Sequence, residues 1–314
     1  RLGVRADWAG LPIGRAVAAG RRWLVSSLED VCLIIAGPRT GKTTCWVVPR
    51  VLAAQGAVVV TSNKSDVVDL TIAARRSVGD VLVFDPQGLS GAGQSFWWNP
   101  LSYVTDAVSA VALTQVFVDA TTDSNTQKSA YFDAAARDLV AALLLAASRD
   151  ALPITQVHAW LNNQADREPL RILRRAGEDM SADTLEGTMN LVPETKSGVY
   201  GSAATTMSWL LNDKAMRWVT PNPDLPQLVP ADFVRGSGTL YCLSQEGRGS
   251  AAPVVTALTV AVTQAAVEYA KTQPGGRLPV PMLIELDEAA NVCRWRELPS
   301  MYSHFGSRGI VVDS

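Results

Sequence analysis

Residues 31–44 read Val31-Cys32-Leu33-Ile34-Ile35-Ala36-Gly37-Pro38-Arg39-Thr40-Gly41-Lys42-Thr43-Thr44. The apolar run 31–36 suits a buried strand. The segment after it follows the phosphate-loop pattern G-x-x-x-x-G-K-[ST], with Ala36 in place of the first glycine. In such a loop, successive backbone N–H groups wrap phosphate oxygens, and the following helix adds the positive end of its dipole. Gly41 permits close backbone approach, Lys42 sets a charge on the β- and γ-phosphates, and Thr43 offers a hydroxyl to Mg²⁺. The candidate nucleotide-binding residues are therefore Ala36, Gly37, Pro38, Arg39, Thr40, Gly41, Lys42, Thr43 and Thr44, with ATP and Mg²⁺ as the expected cofactors. A helical stretch from about 42 to 54 and apolar strands at 57–61 and 81–84 continue a strand–helix–strand rhythm. That rhythm predicts an α/β fold, a parallel sheet flanked by helices.

A phosphate loop needs a carboxylate on the metal side, normally at the end of a buried strand. Residues 282–288, Met-Leu-Ile-Glu-Leu-Asp-Glu, supply one. Asp287 is the metal-side candidate together with Thr43, and Glu288 is placed to polarise an attacking water. An Asp-Glu pair suits an ATPase that activates water with Glu, whereas signalling GTPases position water with Gln. Glu285, inside the strand, reads as a structural or interface acid. Residues 89–94, Leu-Ser-Gly-Ala-Gly-Gln, look like the signature loop of ABC transporters. They lie 193 residues before Asp287 and directly after a strand, so they read as a Gly-rich loop.

Lys42 and Asp287 are 245 positions apart, more than a compact nucleotide-binding domain needs. Helical periodicity fills the gap at 106–119, 127–149, 154–163, 166–177, 181–191 and 197–212, with no convincing strand between about 102 and 230. Strand patterns return at 239–243, 281–286 and 309–312. The expected organisation is a discontinuous nucleotide-binding domain, 1–101 and 231–314, interrupted by an all-α domain, 102–230. Charge follows the same division. Residues 102–230 hold 10 Lys/Arg and 15 Asp/Glu, while the rest of the chain holds 18 and 15. The net charge of −2 thus averages an acidic insertion and a mildly basic core, and it excludes a bulk electrostatic nucleic-acid binder.

Cys32, Cys45, Cys242 and Cys293 form no C-x-x-C pair, which argues against a zinc module or a disulfide framework and favours a reducing, cytoplasmic setting. Residues 250–267 carry no charge but include Ser250, Pro253, three Thr and Gln264, as expected of a buried helix rather than a membrane span. Trp160, Trp209 and Trp218 read as core, and His158 and His304 as packed or surface histidines. The basic N-terminal part (Arg5, Arg15, Arg21, Arg22) suits lipid headgroups, DNA or plain solvent equally. Opening on Arg1 and closing just after a strand, the sequence reads as a stretch of a longer chain.

Several segments together resemble the type IV secretion coupling proteins of the TraG/TraD kind, the ring ATPases of conjugative DNA transfer. They are AGPRTGKTT at 36–44, VVVTSNKSD at 58–66 with Lys64 after the strand, VLVFDP at 81–86, Trp97-Trp98-Asn99-Pro100-Leu101, and LIELDEAANV at 283–292. Ser62-Asn63 stand where many members carry Asp-Pro. The resemblance implies a P-loop NTPase of RecA-like type with an inserted all-α domain that recognises cargo. It implies Mg-ATP hydrolysis in a homo-hexamer at the cytoplasmic face of the bacterial inner membrane, with the 314-residue piece alone monomeric and weakly active. Expected partners are DNA or a relaxase or effector protein as cargo, and secretion-channel components. Lys42 and Glu288 would be catalytic. Arg308, 21 residues after Asp287, resembles the arginine that a neighbouring subunit supplies, ahead of Arg294 and Arg296. Two alternatives remain open: a substrate-receptor platform, and a related DNA-pumping ATPase of the FtsK/HerA kind.

Overall fold

The computed structural model describes residues 10–37, 39–121, 130–247 and 249–314. The chain forms two compact units. One takes in Val229–Val255, Thr259–Ser314 and the described residues up to Ser95. The other takes in the described residues of Phe96–Leu228, together with Thr256–Leu258.

The first unit is built on a six-stranded sheet. In chain order the strands among the described residues are β1 (Gly10–Arg15), β2 (Trp23–Ser27), β3 (Val31–Cys32), β4 (Val58–Ser62), β5 (Val81–Phe84), β6 (Trp97–Trp98), β7 (Gln227–Leu228), β8 (Thr239–Leu243), β9 (Met282–Leu286) and β10 (Ile310–Asp313). The sheet runs β3-β10-β9-β4-β8-β5, with every pairing parallel. Val58, Val59 and Val60 of β4 are fully buried, as a central strand covered on both faces requires. Around them pack Val47, Val51, Val67, Val83, Tyr241 and Leu283. Burying each such side chain contributes on the order of 2 kcal/mol. Because the strands are parallel, their C-terminal ends and the loops that follow collect on one edge.

β3 differs from expectation. The run 31–36 was expected to be a fully buried strand, but only Val31 and Cys32 pair in register, although Ile34 still donates its N–H to the Ser314 carbonyl at 2.8 Å. The reason is position. β3 lies at the sheet edge with β10 as its one neighbour, and Leu33 and Ile35 are exposed. Ahead of it, β1 and β2 form an antiparallel hairpin that no periodicity announced.

The helix Ala252–Lys271 is the one helix among the described residues long and apolar enough to cross a membrane. Most of it is buried, as a core helix would be.

In the second unit the helix Ala130–Arg149 is central. Its run Leu139–Ala147 is buried throughout, so it is apolar all round and must be enclosed by other helices. Ala107–Thr121, Thr155–Asn162, Glu168–Arg175, Asp179–Met189 and Pro193–Thr206 enclose it. Residues 127–129 of the expected helix lie outside the described residues. The expected helix 197–212 is Pro193–Thr206 followed by a separate tight turn at Ser208–Leu211, and a further helix spans Asp213–Val219. A strand does occur between 102 and 230: Gln227–Leu228 pairs in parallel with Trp97–Trp98. Two residues are too short a run for period-two alternation to reveal. Trp160, Trp209 and Trp218 are buried, with Trp209 against Phe117 and Trp218 edge-on to Phe96.

Candidate active site

The loop after β3 carries the phosphate-loop residues. Ala36, Gly37, Arg39 and Thr40 are exposed, and Pro38 lies outside the described residues. Thr40 closes the loop by donating its hydroxyl to the Gly37 carbonyl at 2.8 Å. Arg39 and Gly41 are left-handed, with φ of 60° and 81°. At Gly41 this conformation costs nothing, whereas an L residue such as Arg39 sits there at a cost of about 1–2 kcal/mol. Such turns aim successive N–H groups into one concavity, which is what an anion needs. The helix then starts with a wide, π-type turn, Thr43–Val47, before Val48–Ala53, and Thr44 donates its hydroxyl to the Gly41 carbonyl at 3.3 Å.

β9 ends opposite this loop. Thr43 Oγ1 donates to Asp287 Oδ2 at 3.2 Å, and Lys42 Nζ donates to Glu288 Oε1 at 3.2 Å. Residues 244 and 246 positions apart thus meet side by side. Glu288 is left-handed, with φ of 57°, and this turn breaks the strand and opens the short helix Ala289–Val292. Asn291 Nδ2 donates to the other Glu288 oxygen at 3.5 Å. Ser62 and Thr61, at the end of β4, donate to Asp287 Oδ2 at 3.5 Å and to the Asp287 carbonyl at 3.4 Å. Sequence reasoning noted Ser62 only as a departure from Asp-Pro. Its contact with the acid follows from β4 lying beside β9.

Asp287 is buried, and burial pushes its carboxyl above the usual aspartate range. The Thr43 hydroxyl opposes the rise and the neighbouring Glu288 charge adds to it. Such an acid is poised to accept a cation. Thr43 and Asp287 together present a hydroxyl and a carboxylate at one point. Among the described residues no group of three or more His, Cys, Asp or Glu is arranged to hold a metal ion. That donor set suits Mg²⁺, which takes few protein ligands and completes its shell with phosphate and water, and does not suit a zinc cage.

A cavity of about 310 Å³ adjoins the acid pair, lined among others by Lys42, Trp46, Glu285, Asp287, Glu288 and Ser314. Beneath it is a network the sequence did not show. Asp313 sits directly across from Glu285 in the β9–β10 ladder. Arg50, fully buried, donates from Nε and Nη2 to the two Asp313 oxygens, the latter at 3.0 Å, and from Nη1 to Ser26 Oγ at 3.0 Å. Burial and the adjacent Asp313 push the Glu285 carboxyl well above the usual range. Glu285 is therefore a buried acid within the strand.

Arg308 is not part of this assembly. It ends the helix Leu298–Arg308 and precedes β10, so it stands at the N-terminal edge of the sheet, about 16 Å of strand away from Asp287. Lys64 is exposed, and its backbone N–H donates to Ser62 Oγ at 3.3 Å. The 89–94 loop follows β5 and is tied back by Asp85, which accepts from the Leu89 and Ser90 N–H groups at 2.8 and 2.7 Å. His158 Nδ1 lies 3.3 Å from Asn162 Nδ2, and His304 is exposed.

A parallel sheet flanked by helices, with a phosphate loop after one strand and an Asp-Glu pair ending another, defines a P-loop NTPase fold. The family model for type IV secretory system conjugative DNA transfer matches residues 4–235, and the chain belongs to that family. A second model, the TraM recognition site of TraD and TraG, matches residues 281–312. No curated protein sequence matches the chain. Among solved structures, the chain is similar to the unbound monoclinic form of the bacterial conjugative coupling protein TrwBdeltaN70. Identity is 13% and the TM-score 0.56, covering 99% of this chain and 67% of that one. It is also similar to plasmid coupling protein TrwB in complex with the non-hydrolysable GTP analogue GDPNP, at 14% identity and a TM-score of 0.57, covering 99% and 68%. At these identities the likeness is one of fold.

Proposed function

We propose that the chain is the nucleotide-driven motor of a conjugative coupling protein. It binds Mg-ATP at residues 36–44 and hydrolyses it within a homo-hexameric ring at the cytoplasmic face of the bacterial inner membrane. Hydrolysis drives DNA, or a relaxase–DNA complex, toward secretion-channel components. In this reading residues 1–101 and 231–314 are the motor domain and 102–230 the inserted helical domain.

The observation that carries the reading is the meeting of Lys42 and Thr43 with Asp287 and Glu288. Phosphate, with its higher charge, displaces Glu288 from Lys42, and the freed carboxylate turns to a water aligned with the terminal phosphorus. Glu288 takes the proton as the water oxygen bonds to phosphorus and the bond to the ADP oxygen breaks. Thr43 and Asp287 would hold Mg²⁺, which supplies positive charge to the phosphate oxygens. Arg308 lies too far away to serve its own subunit, so its part is to reach a neighbour's site across the ring. Support for nucleotide use comes from TrwB, solved with a GTP analogue. The test is ATP turnover by the full-length oligomer. Equal background rates for wild type and Glu288→Gln would remove the motor.

A second reading rests on the acidic surplus of 102–230, which repels a DNA backbone and suits a protein cargo. There the helical domain is a docking platform and nucleotide only stabilises shape. Failure of the intact chain, bearing charge reversals in this unit, to lose any cargo protein in a pull-down would count against it.

A further inference from the structure

The hairpin β1–β2 has a fixed base and a bare outer half. At the base Leu11 and Ser26 are buried, Leu11 joins the core of the sheet unit, and the fully buried Arg50 donates to the Pro12 carbonyl at 3.4 Å and to Ser26 Oγ. Beyond Pro12 the pattern reverses. Ile13, Val17, Leu24 and Val25 are exposed, and Val17 has no cover at all. Arg15, Arg21 and Arg22 are exposed among them, and Arg15 lies 4.5 Å over the Trp23 ring. No acid occurs between Trp8 and Leu28. The acids that follow are engaged at the base: Glu29 pairs with Arg277 at 2.8 Å, and Asp30 accepts the Ser27 N–H. Among the described residues none of the three arginines takes part in an ion pair. At the turn Gly20 and Arg21 are both left-handed, φ 71° and 55°, so the chain accepts local strain to present a charged residue there.

We propose that the outer half of this hairpin, Ile13 to Val25, docks on an anionic lipid bilayer. The surface combines three arginines that form no ion pair among the described residues, an aromatic and four exposed aliphatic side chains on a strut anchored to the core. Cations alone would serve a DNA backbone equally well. The aliphatic side chains decide between the two. Against a duplex they stay in water or meet charged phosphate, whereas at a bilayer they enter the acyl boundary while the arginines reach the headgroups. A tryptophan of this kind sits at the same level. The proposal goes beyond the motor reading and does not depend on it.

The test is co-sedimentation of the 314-residue chain with vesicles of phosphatidylcholine alone or mixed with phosphatidylglycerol, with a short duplex DNA in a parallel assay. The chain is expected on the anionic vesicles only, with retention falling as salt rises. Each arginine near such a surface is worth about fivefold in binding, so R21E/R22E should weaken it by about 25-fold or more. Val17→Ser should weaken it about fivefold without altering the salt dependence. Fluorescent-nucleotide binding at Lys42, read on the same samples, reports that the variants are folded, and the milder Arg22→Gln serves if the double variant is not. Wild type that ignores anionic vesicles overturns the proposal, as does undiminished binding by folded R21E/R22E. Arginine-dependent binding to duplex DNA that exceeds vesicle binding assigns the surface to nucleic acid and equally overturns it.

Discussion

The two edges of the central sheet are built on opposite principles. At the N-terminal edge the turns leading into the strands are tied down by a buried side chain. Arg75 ends the helix Asp66–Arg75, is buried, and donates to the carbonyls of Ala54 (2.5 Å), Gly56 (3.2 Å) and Ser237 (3.0 Å) and to Thr239 Oγ1 (2.6 Å). One planar cation thereby seals the turns that lead into β4 and β8. Backbones touch here: a Cβ on Gly56 would fall 2.4 Å from the Pro281 carbonyl oxygen. At the C-terminal edge Arg39 and Glu288 are left-handed, the phosphate-loop residues 36–40 that are described are exposed, and Asp287 is a buried acid held above its ordinary range. Strain and imperfectly balanced charge are retained where a ligand would relieve them, and the opposite edge supplies the rigidity that keeps them in place.

The sharpest way to break this contrast is at Glu288. Glu288→Gln should lower ATP hydrolysis by about 10²–10⁴-fold while leaving nucleotide binding intact, read as phosphate release beside a fluorescent-nucleotide titration. Next comes Arg75→Met, which strands several buried carbonyls and should cost about 3 kcal/mol or more in urea unfolding. Gly56→Ala, forced against Pro281, should cost about 1–3 kcal/mol by the same measurement. Glu288→Gly should do the reverse. Relief of the left-handed strain should raise stability by about 1 kcal/mol while hydrolysis is lost, and a lowered urea midpoint would deny that strain is stored there.

The smallest effect concerns pH. A carboxyl whose pKa is raised on folding binds its proton more tightly in the native state. Its contribution to stability is therefore fully present below the unfolded value of 3.8 and is lost as pH rises through the folded value. Nucleotide-free Asp287→Asn should thus unfold at higher urea than wild type at neutral pH, and the difference should shrink as pH falls through the raised folded value and be gone below 3.8. A constant difference across pH would place the cost of Asp287 elsewhere than in its charge.

Much of this was legible in the residues. Buried strands such as Val58–Ser62 and Thr239–Leu243 carry their apolar runs in full, and the phosphate loop and Asp287-Glu288 announce themselves as local patterns. What escaped depends on neighbours distant in sequence. Arg50, Glu285 and Asp313 come from a helix and two strands, and nothing around any of them predicts a shared buried network. The β1–β2 hairpin escaped because its strands lack alternation: their buried residues hold to the core at the base, and the remainder faces outward.

By itself the sequence determined the fold class, the loop that would cradle phosphate and the acid pair that would face it, because each rests on short-range chemistry: periodicity, a glycine turn, a strand ending in carboxylates. Only the tertiary structure decided which strand lies beside which. That order makes β3 an edge, brings Ser62 to Asp287, sets Asp313 against Glu285 and leaves Arg308 at the far end of the sheet. The physical reason is that strand order is chosen by packing summed over the whole core, a quantity to which no single segment holds the key.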